Sequence, residues 1–151
     1  MLAHIIDVQL AVAGSTNLPA NDQIALWANA ALQDVDIPSE LTIRIVDEIE
    51  GAELNEKWRK KIGPTNVLSF PAQVAEEIQP KLLGDIVICA TVVAREAAQQ
   101  EKSLSAHWAH MVIHGTLHLL GYDHTEVQQS ETMESLEINI LNKLNIGNPY
   151  A

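Results

Sequence analysis

The apolar patterns along this chain predict an α+β fold. It would be a single domain of helices packed on a small mixed β-sheet, with a three-histidine metal site at the end of a central helix. Three observations carry that prediction. Strand-like and helix-like stretches follow one another as β, α, β, α, β, β and then three helices. The chain has 151 residues, 47% of them apolar, enough for one substantial core. His114, His118 and His124 stand at i, i+4 and i+10 around a glycine suited to stopping a helix.

The elements follow in order. His4 to Val12 is rich in apolar and β-branched residues and reads as a strand. Asn17-Leu-Pro19 reads as the start of a helix, with Pro near its first turn. Ile24, Trp27, Ala31 and Val35 continue that helix as an apolar stripe toward Pro38. Leu41, Ile43 and Ile45 alternate with Thr42 and Arg44, the period of a half-buried strand. A polar helix is expected from about Gly51 to Lys61, closed by Gly63-Pro64. Asn66 to Phe70 is a short strand stopped by Pro71. Residues 72–81 are acidic and read as a surface loop, and Leu82 to Cys89 as a buried strand. Ala90 to Lys102 is an alanine-rich helix, and Ser103 caps the next, which runs to Leu120. A last helix, from about Glu126 to Leu144, places Met133, Leu136, Ile140, Leu141 and Leu144 at helical spacing. The strand order is not legible from these patterns.

Composition narrows the function. Twenty acidic residues against nine basic give a formal charge of −11, which disfavours indiscriminate binding to nucleic acid. Four of the nine basic residues are concentrated in Lys57-Trp58-Arg59-Lys60-Lys61. Such a patch can direct a polyanion to one place, and it equally suits a solvated helix end complementing the dipole. The single cysteine, Cys89, lies in an apolar run and reads as a buried small hydrophobe, with no internal disulfide possible. No transmembrane segment is evident. Ala11-Val12-Ala13-Gly14 resembles a signal cleavage site, but the preceding stretch has no Lys or Arg and contains Asp7. The protein is expected in the cytoplasm.

The histidines carry the chemistry. An i, i+4 pair lies on one helical face, so the imidazoles of His114 and His118 can reach one ion. Gly121 ends the helix and lets the chain turn back with His124. Three neutral imidazoles with an open fourth position form a catalytic metal site, not a closed structural one. Three buried histidines without an ion would each need a separate partner. His107 and His110 lie earlier on the same helix and are assigned to packing or to support of the ligands. Asp123 either orients a ligand through its free ring N–H or bonds local backbone in the turn. Gly115 costs about 1 kcal/mol relative to Ala in a helix interior, so another backbone or a substrate is expected close beside it.

The spacing His-x3-His-x2-Gly-x2-His matches the metzincin proteases, whose general base is a Glu directly after the first His. Here that residue is Gly115, so peptide hydrolysis is disfavoured while the metal cage is kept. The stretch His-Gly-Thr-Leu-His-Leu-Leu-Gly-Tyr-Asp-His, residues 114–124, resembles the signature of the YbeY family of bacterial endoribonucleases. Leu54-Asn55 with Trp58-Arg59, then Pro64-Thr-Asn-Val-Leu-Ser-Phe-Pro71, then Leu83-Gly-Asp-Ile-Val-Ile88 resemble its other segments in the same order. The resemblance covers nearly the whole chain. It implies a single domain over 1–151 acting as a metal-dependent, single-strand-specific endoribonuclease. It further implies roles in 16S ribosomal RNA 3′-end maturation and ribosome quality control, with the small ribosomal subunit and the GTPase Era as partners.

Both lines lead to one expected mechanism. His114, His118 and His124 hold one divalent transition metal ion, with zinc the first choice and nickel also suited to imidazole. Its fourth position takes water or a phosphate oxygen of RNA. Arg59 pairs with the phosphate, a placement the resemblance also implies, or else forms a surface ion pair with Glu53 or Glu56. Lys57, Lys60 and Lys61 steer the RNA backbone, Ser69 lines the cleft, and Trp58 either stacks a base or belongs to the core. The nucleophile is metal-activated water or the RNA 2′-hydroxyl, and no residue type singles out the general base. Two rivals share these residues. One is a metal-dependent hydrolase of another substrate, the other a ribosome assembly factor whose metal is mainly structural.

Overall fold

The computed structural model describes residues 4–12, 17–73 and 80–151. Among the described residues four strands and five helices follow one another in the order the sequence predicts: β1 (Ile5–Ala11), α1 (Asn21–Ala31), β2 (Ser39–Val46), α2 (Glu48–Leu54), β3 (Val67–Pro71), β4 (Lys81–Cys89), α3 (Ala90–Gln99), α4 (Leu104–Leu119) and α5 (Val127–Lys143). The sheet order is β1-β2-β4-β3. β2 pairs in parallel with both β1 and β4, and β3 runs antiparallel along the far edge of β4. The result is the expected α+β domain with a mixed sheet.

The central strands explain their own burial. Leu41, Ile43 and Ile45 of β2 and Ile86 and Ile88 of β4 point to one face and are almost wholly buried. They meet Ile24, Trp27 and Ala28 of α1 and Trp108, Val112 and Ile113 of α4 in the main core. Each fully buried Ile, Leu or Val among them contributes roughly 1.5–3 kcal/mol by leaving water. A smaller cluster of Val46, Leu68, Val87, Cys89 and Val92 lies apart from it. Cys89 is buried there, as expected.

α4 is the central helix. From His107 to Leu119 nearly every residue is buried, because the helix meets the sheet on one side and its neighbouring helices on the others. Ser103 caps it, its hydroxyl accepting from the Ala106 N–H at 3.1 Å. Its far end closes as a Schellman turn. Gly121, at φ 103°, donates to His118 O at 3.0 Å, and Tyr122 donates to Leu117 O at 3.1 Å.

Several boundaries depart from the sequence reading. α1 begins at Asn21, and Asn17 sits before it in a left-handed conformation at φ 66°. α2 begins at Glu48, before Gly51, because the Asp47 carboxylate accepts from the Glu50 N–H at 3.0 Å and caps it. Beyond Leu54 the helix widens into a π-helical turn, Asn55–Arg59, closed by left-handed Lys60 at φ 59°. α3 ends at Gln99 and not Lys102, with Glu101 at φ 55° turning the chain. β4 already starts at Lys81. Most of the expected acidic loop, residues 74–79, lies outside the described residues, as do Ala13 and Gly14 of the cleavage-like stretch. No described helix is long and apolar enough to cross a membrane.

Candidate metal centre

The last turn of α4 and the turn after it bring the three predicted histidines together. His114 and His118 face each other with their Nε2 atoms 3.1 Å apart. The Schellman turn reverses the chain, so the His124 ring lies 5.5 Å from that of His114 and 5.0 Å from that of His118, centroid to centroid. One ligand atom from each of the three falls within 4.8 Å of the others. Donors at ~2.0 Å from a tetrahedral ion stand about 3.3 Å apart, so the His114–His118 separation already suits chelation. Burial, with the neighbouring imidazoles, pushes the His118 pKa below its ordinary value. The ring is therefore neutral at neutral pH, the form a metal ligand needs.

A cleft of about 650 Å³ opens over these rings. The π-helical turn and the loop after it also line it, contributing Asn55, Arg59 and Lys61. Among the described residues Arg59 forms no ion pair, with Glu53, Glu56 or any other acid. Asn55 is buried and donates to Gly63 O at 2.7 Å, which ties the wall to the Gly63-Pro64 turn. Ser69 lines the floor and donates to Gly115 O at 3.3 Å, joining β3 to α4.

The other predicted residues fall differently. Lys57 and Lys60 are exposed but do not line the cleft. The Lys57 ammonium lies 5.2 Å from the Trp58 ring centroid. Trp58 is not core: it is 58% exposed, meets Phe70 edge-on and lines a separate groove with Arg44 and Asp85. Asp123 accepts from the His124 backbone N–H at 2.7 Å, while its oxygen is 3.9 Å from the His124 ring nitrogen. It shapes the turn and makes no hydrogen bond to the rings of His114, His118 or His124. Gly115 is indeed a close approach, but to side chains. A Cβ there would stand 2.9 Å from Ile86 Cγ2 and 3.3 Å from Val67 Cγ2. The position that carries the base in metzincins is here packed against the sheet.

Behind the three histidines lies a network that the sequence patterns do not reveal. Glu137 on α5 is fully buried, and its Oε2 lies 3.2 Å from His114 Nδ1 and 2.6 Å from His110 Nε2. Its Oε1 accepts from the Tyr150 hydroxyl at 2.9 Å. Burial alone would raise the Glu137 carboxyl, but hydrogen bonds from His110 and His114 outweigh it and hold it at about 2. Burial and the Glu137 charge push the Tyr150 hydroxyl up, so it stays a donor. His107 pairs with Glu96 at 2.9 Å, and Glu96 in turn accepts from Asn66, which lines the cleft. His107 and His110 thus pack and support, as expected. The missed signal was a carboxylate at the helical spacing of Met133, Ile140 and Leu141, since an unpaired Glu is almost never buried.

A family model described as "Endoribonuclease YbeY" matches residues 14–145. The chain belongs to the YbeY endoribonuclease family. A curated family member from Pseudomonas syringae pv. syringae (strain B728a), Endoribonuclease YbeY, is 52% identical over 148 residues. That match covers 97% of this chain and 89% of the relative. The solution structure of TM1509 from Thermotoga maritima shares the fold, with a TM-score of 0.59 and 22% identity over 93% of this chain and 92% of that one. Membership in the YbeY family supports a role as an RNA endonuclease, and the histidine groups could hold the metal of such an enzyme.

Proposed function

We propose that this protein is a zinc-dependent, single-strand-specific endoribonuclease. It would act in the cytoplasm on the 3′ end of 16S ribosomal RNA and in ribosome quality control, with the small ribosomal subunit and the GTPase Era as partners. The observation that supports the reading is that Arg59, which forms no ion pair among the described residues, lines one cleft with His114, His118 and His124. The biological setting rests on family membership.

His114, His118 and His124 would hold the ion, zinc first and nickel also compatible. When bound, the ion would supply Lewis acidity to a phosphoryl oxygen or to water. The residues of the chain do the rest. Arg59 pairs bidentately with the nonbridging oxygens, where charge grows during in-line attack. Lys61 draws the backbone toward the cleft in an otherwise acidic protein. Ser69 holds the floor through Gly115 O. Asn55 and the Gly63-Pro64 turn keep the Arg59 wall in place. The open cleft admits a single strand.

The test is cleavage of a defined single-stranded RNA by wild type, metal-stripped protein, Arg59→Ala and His114→Ala. Losing a donor to a developing oxyanion costs about 10²–10³-fold in rate, so Arg59→Ala should lose that much with its metal content unchanged. His114→Ala should lose metal and activity together. A 5′-phosphate product would identify water as the nucleophile, and a 2′,3′-cyclic phosphate the RNA 2′-hydroxyl. Full activity in metal-free protein, or no RNA cleavage by the loaded wild type, would overturn the proposal.

A further inference from the structure

Glu137 touches the histidine cluster, yet the mechanism above gives it no part. Its carboxylate is 0% exposed and three groups converge on it: His110 Nε2 at 2.6 Å, His114 Nδ1 at 3.2 Å and the Tyr150 hydroxyl at 2.9 Å. His110, His114 and Glu137 could in principle hold an ion of their own, since their ligand atoms also lie within 4.8 Å of one another. The distances argue otherwise. Two donors on one tetrahedral ion stand about 3.3 Å apart, and the 2.6 Å between Glu137 and His110 is a hydrogen bond. The imidazole of His114 bridges two worlds: Nε2 faces His118 and the cleft, and Nδ1 faces Glu137. A neutral imidazole that gives Nε2 to a metal must carry its proton on Nδ1 and can donate it.

We propose that Glu137 is a positioning residue for the metal centre. Its carboxylate, steadied by His110 and Tyr150, fixes the ring and tautomer of His114 so that Nε2 is presented to the ion. This role rests on the three-histidine reading above. It also gives the segment after α5 a function. Lys102 Nζ donates to Pro149 O at 2.7 Å and the Tyr150 N–H donates to Asn148 Oδ1 at 2.8 Å, so the tyrosine is held against Glu137 from behind. Losing the tyrosine hydroxyl would free Oε1 and loosen the carboxylate on His114.

The test measures zinc affinity by chelator competition, beside the melting temperature of the metal-free protein. Substitution of such an outer carboxylate typically weakens metal binding about 10–100-fold. Glu137→Gln, which keeps the volume and loses the charge, should fall in that range. Tyr150→Phe leaves both histidine contacts and should weaken zinc by a smaller factor in the same direction. Long-range ¹H–¹⁵N spectra of zinc-loaded wild type should show His114 coordinated through Nε2 with a proton on Nδ1. Unchanged zinc affinity in the variants with only a lower melting temperature would overturn the role, as would coordination through Nδ1. If Glu137→Gln does not fold, Tyr150→Phe and the wild-type spectra decide. A wild type that binds no zinc, nickel or other divalent transition metal ion would instead bring down the three-histidine centre itself.

Discussion

Two helical glycines give opposite predictions for the same substitution. Gly51 lies in α2 and Gly115 in α4, and both are buried. Alanine gains about 1 kcal/mol over glycine in a helix interior by losing less backbone entropy. At Gly51 a new Cβ would stand 3.5 Å from Cys89 and 3.6 Å from Pro64, ordinary contact distances. Gly51→Ala should therefore stabilise by most of that ~1 kcal/mol. At Gly115 the Cβ would stand 2.9 Å from Cγ2 of Ile86, a β-branched side chain that is 0% exposed in a central strand. A β-branched side chain is stiff at χ1 and yields poorly to such an approach. Overpacking costs roughly 1–3 kcal/mol, which cancels the propensity gain and leaves Gly115→Ala about 1 kcal/mol less stable. In a chain of this size the net loss lowers Tm by about 2–4 °C. The assay is denaturant unfolding of both metal-free variants beside wild type. Stabilisation by both substitutions would refute the reasoning, because it would mean that α4 does not press on β4 as closely as the structure shows. The same pressure separates α4 from the proteases that share its histidine spacing: a Glu side chain at 115 has no room on the sheet side.

Further outcomes follow from the same geometry. Gly121 sits at φ 103°, where an L side chain is strained by roughly 1–2 kcal/mol, so Gly121→Ala should re-aim His124 and weaken metal binding, measured by chelator competition. Burial lowers the His107 pKa from 6.5 against the opposing pull of Glu96. The unfolded chain then takes up protons first as pH falls, so stability held above pH 6.5 is lost toward acid, by at most about 1.4 kcal/mol per pH unit for this residue. Urea midpoints of metal-free protein between pH 7 and 5 should fall less steeply for His107→Gln than for wild type, and identical slopes would count against the assignment. Burial also raises the Cys89 thiol pKa, so a thiol reagent at neutral pH should label it only after denaturant unfolds the chain.

The strands and helices were legible because each carries its own period. β2 alternates, β4 ends in an unbroken apolar run from Ile86 to Cys89, and α5 repeats its stripe every three to four residues. What was not legible depends on groups far apart in sequence. The parallel pairing of β1 with β2 and of β2 with β4 leaves no local mark. The start of α2 depends on the Asp47 carboxylate capping the Glu50 N–H, four residues before the Gly51 that the pattern marks. Lys57 and Lys60 looked equivalent to Lys61, but the π-helical turn and the left-handed Lys60 send only Arg59 and Lys61 to the cleft wall.

The histidines of α4 show where sequence spacing stops being informative. His110 and His114 are an i, i+4 pair, and so are His114 and His118. Helix geometry alone gives both pairs the same claim on an ion. The distinction comes from what approaches each from elsewhere. Beyond the end of α4 the Schellman turn brings His124 to His114 and His118, where the helix emerges into the cleft. One turn earlier the helix is buried, and α5 brings Glu137 to His110 and His114. A third imidazole completes a group of three nitrogens at the cleft that could hold a cation. A buried carboxylate at 2.6 Å from His110 instead accepts a proton-bearing nitrogen. His114 belongs to both groups, its Nε2 facing His118 and its Nδ1 facing Glu137, so one repeated helical spacing serves two different environments.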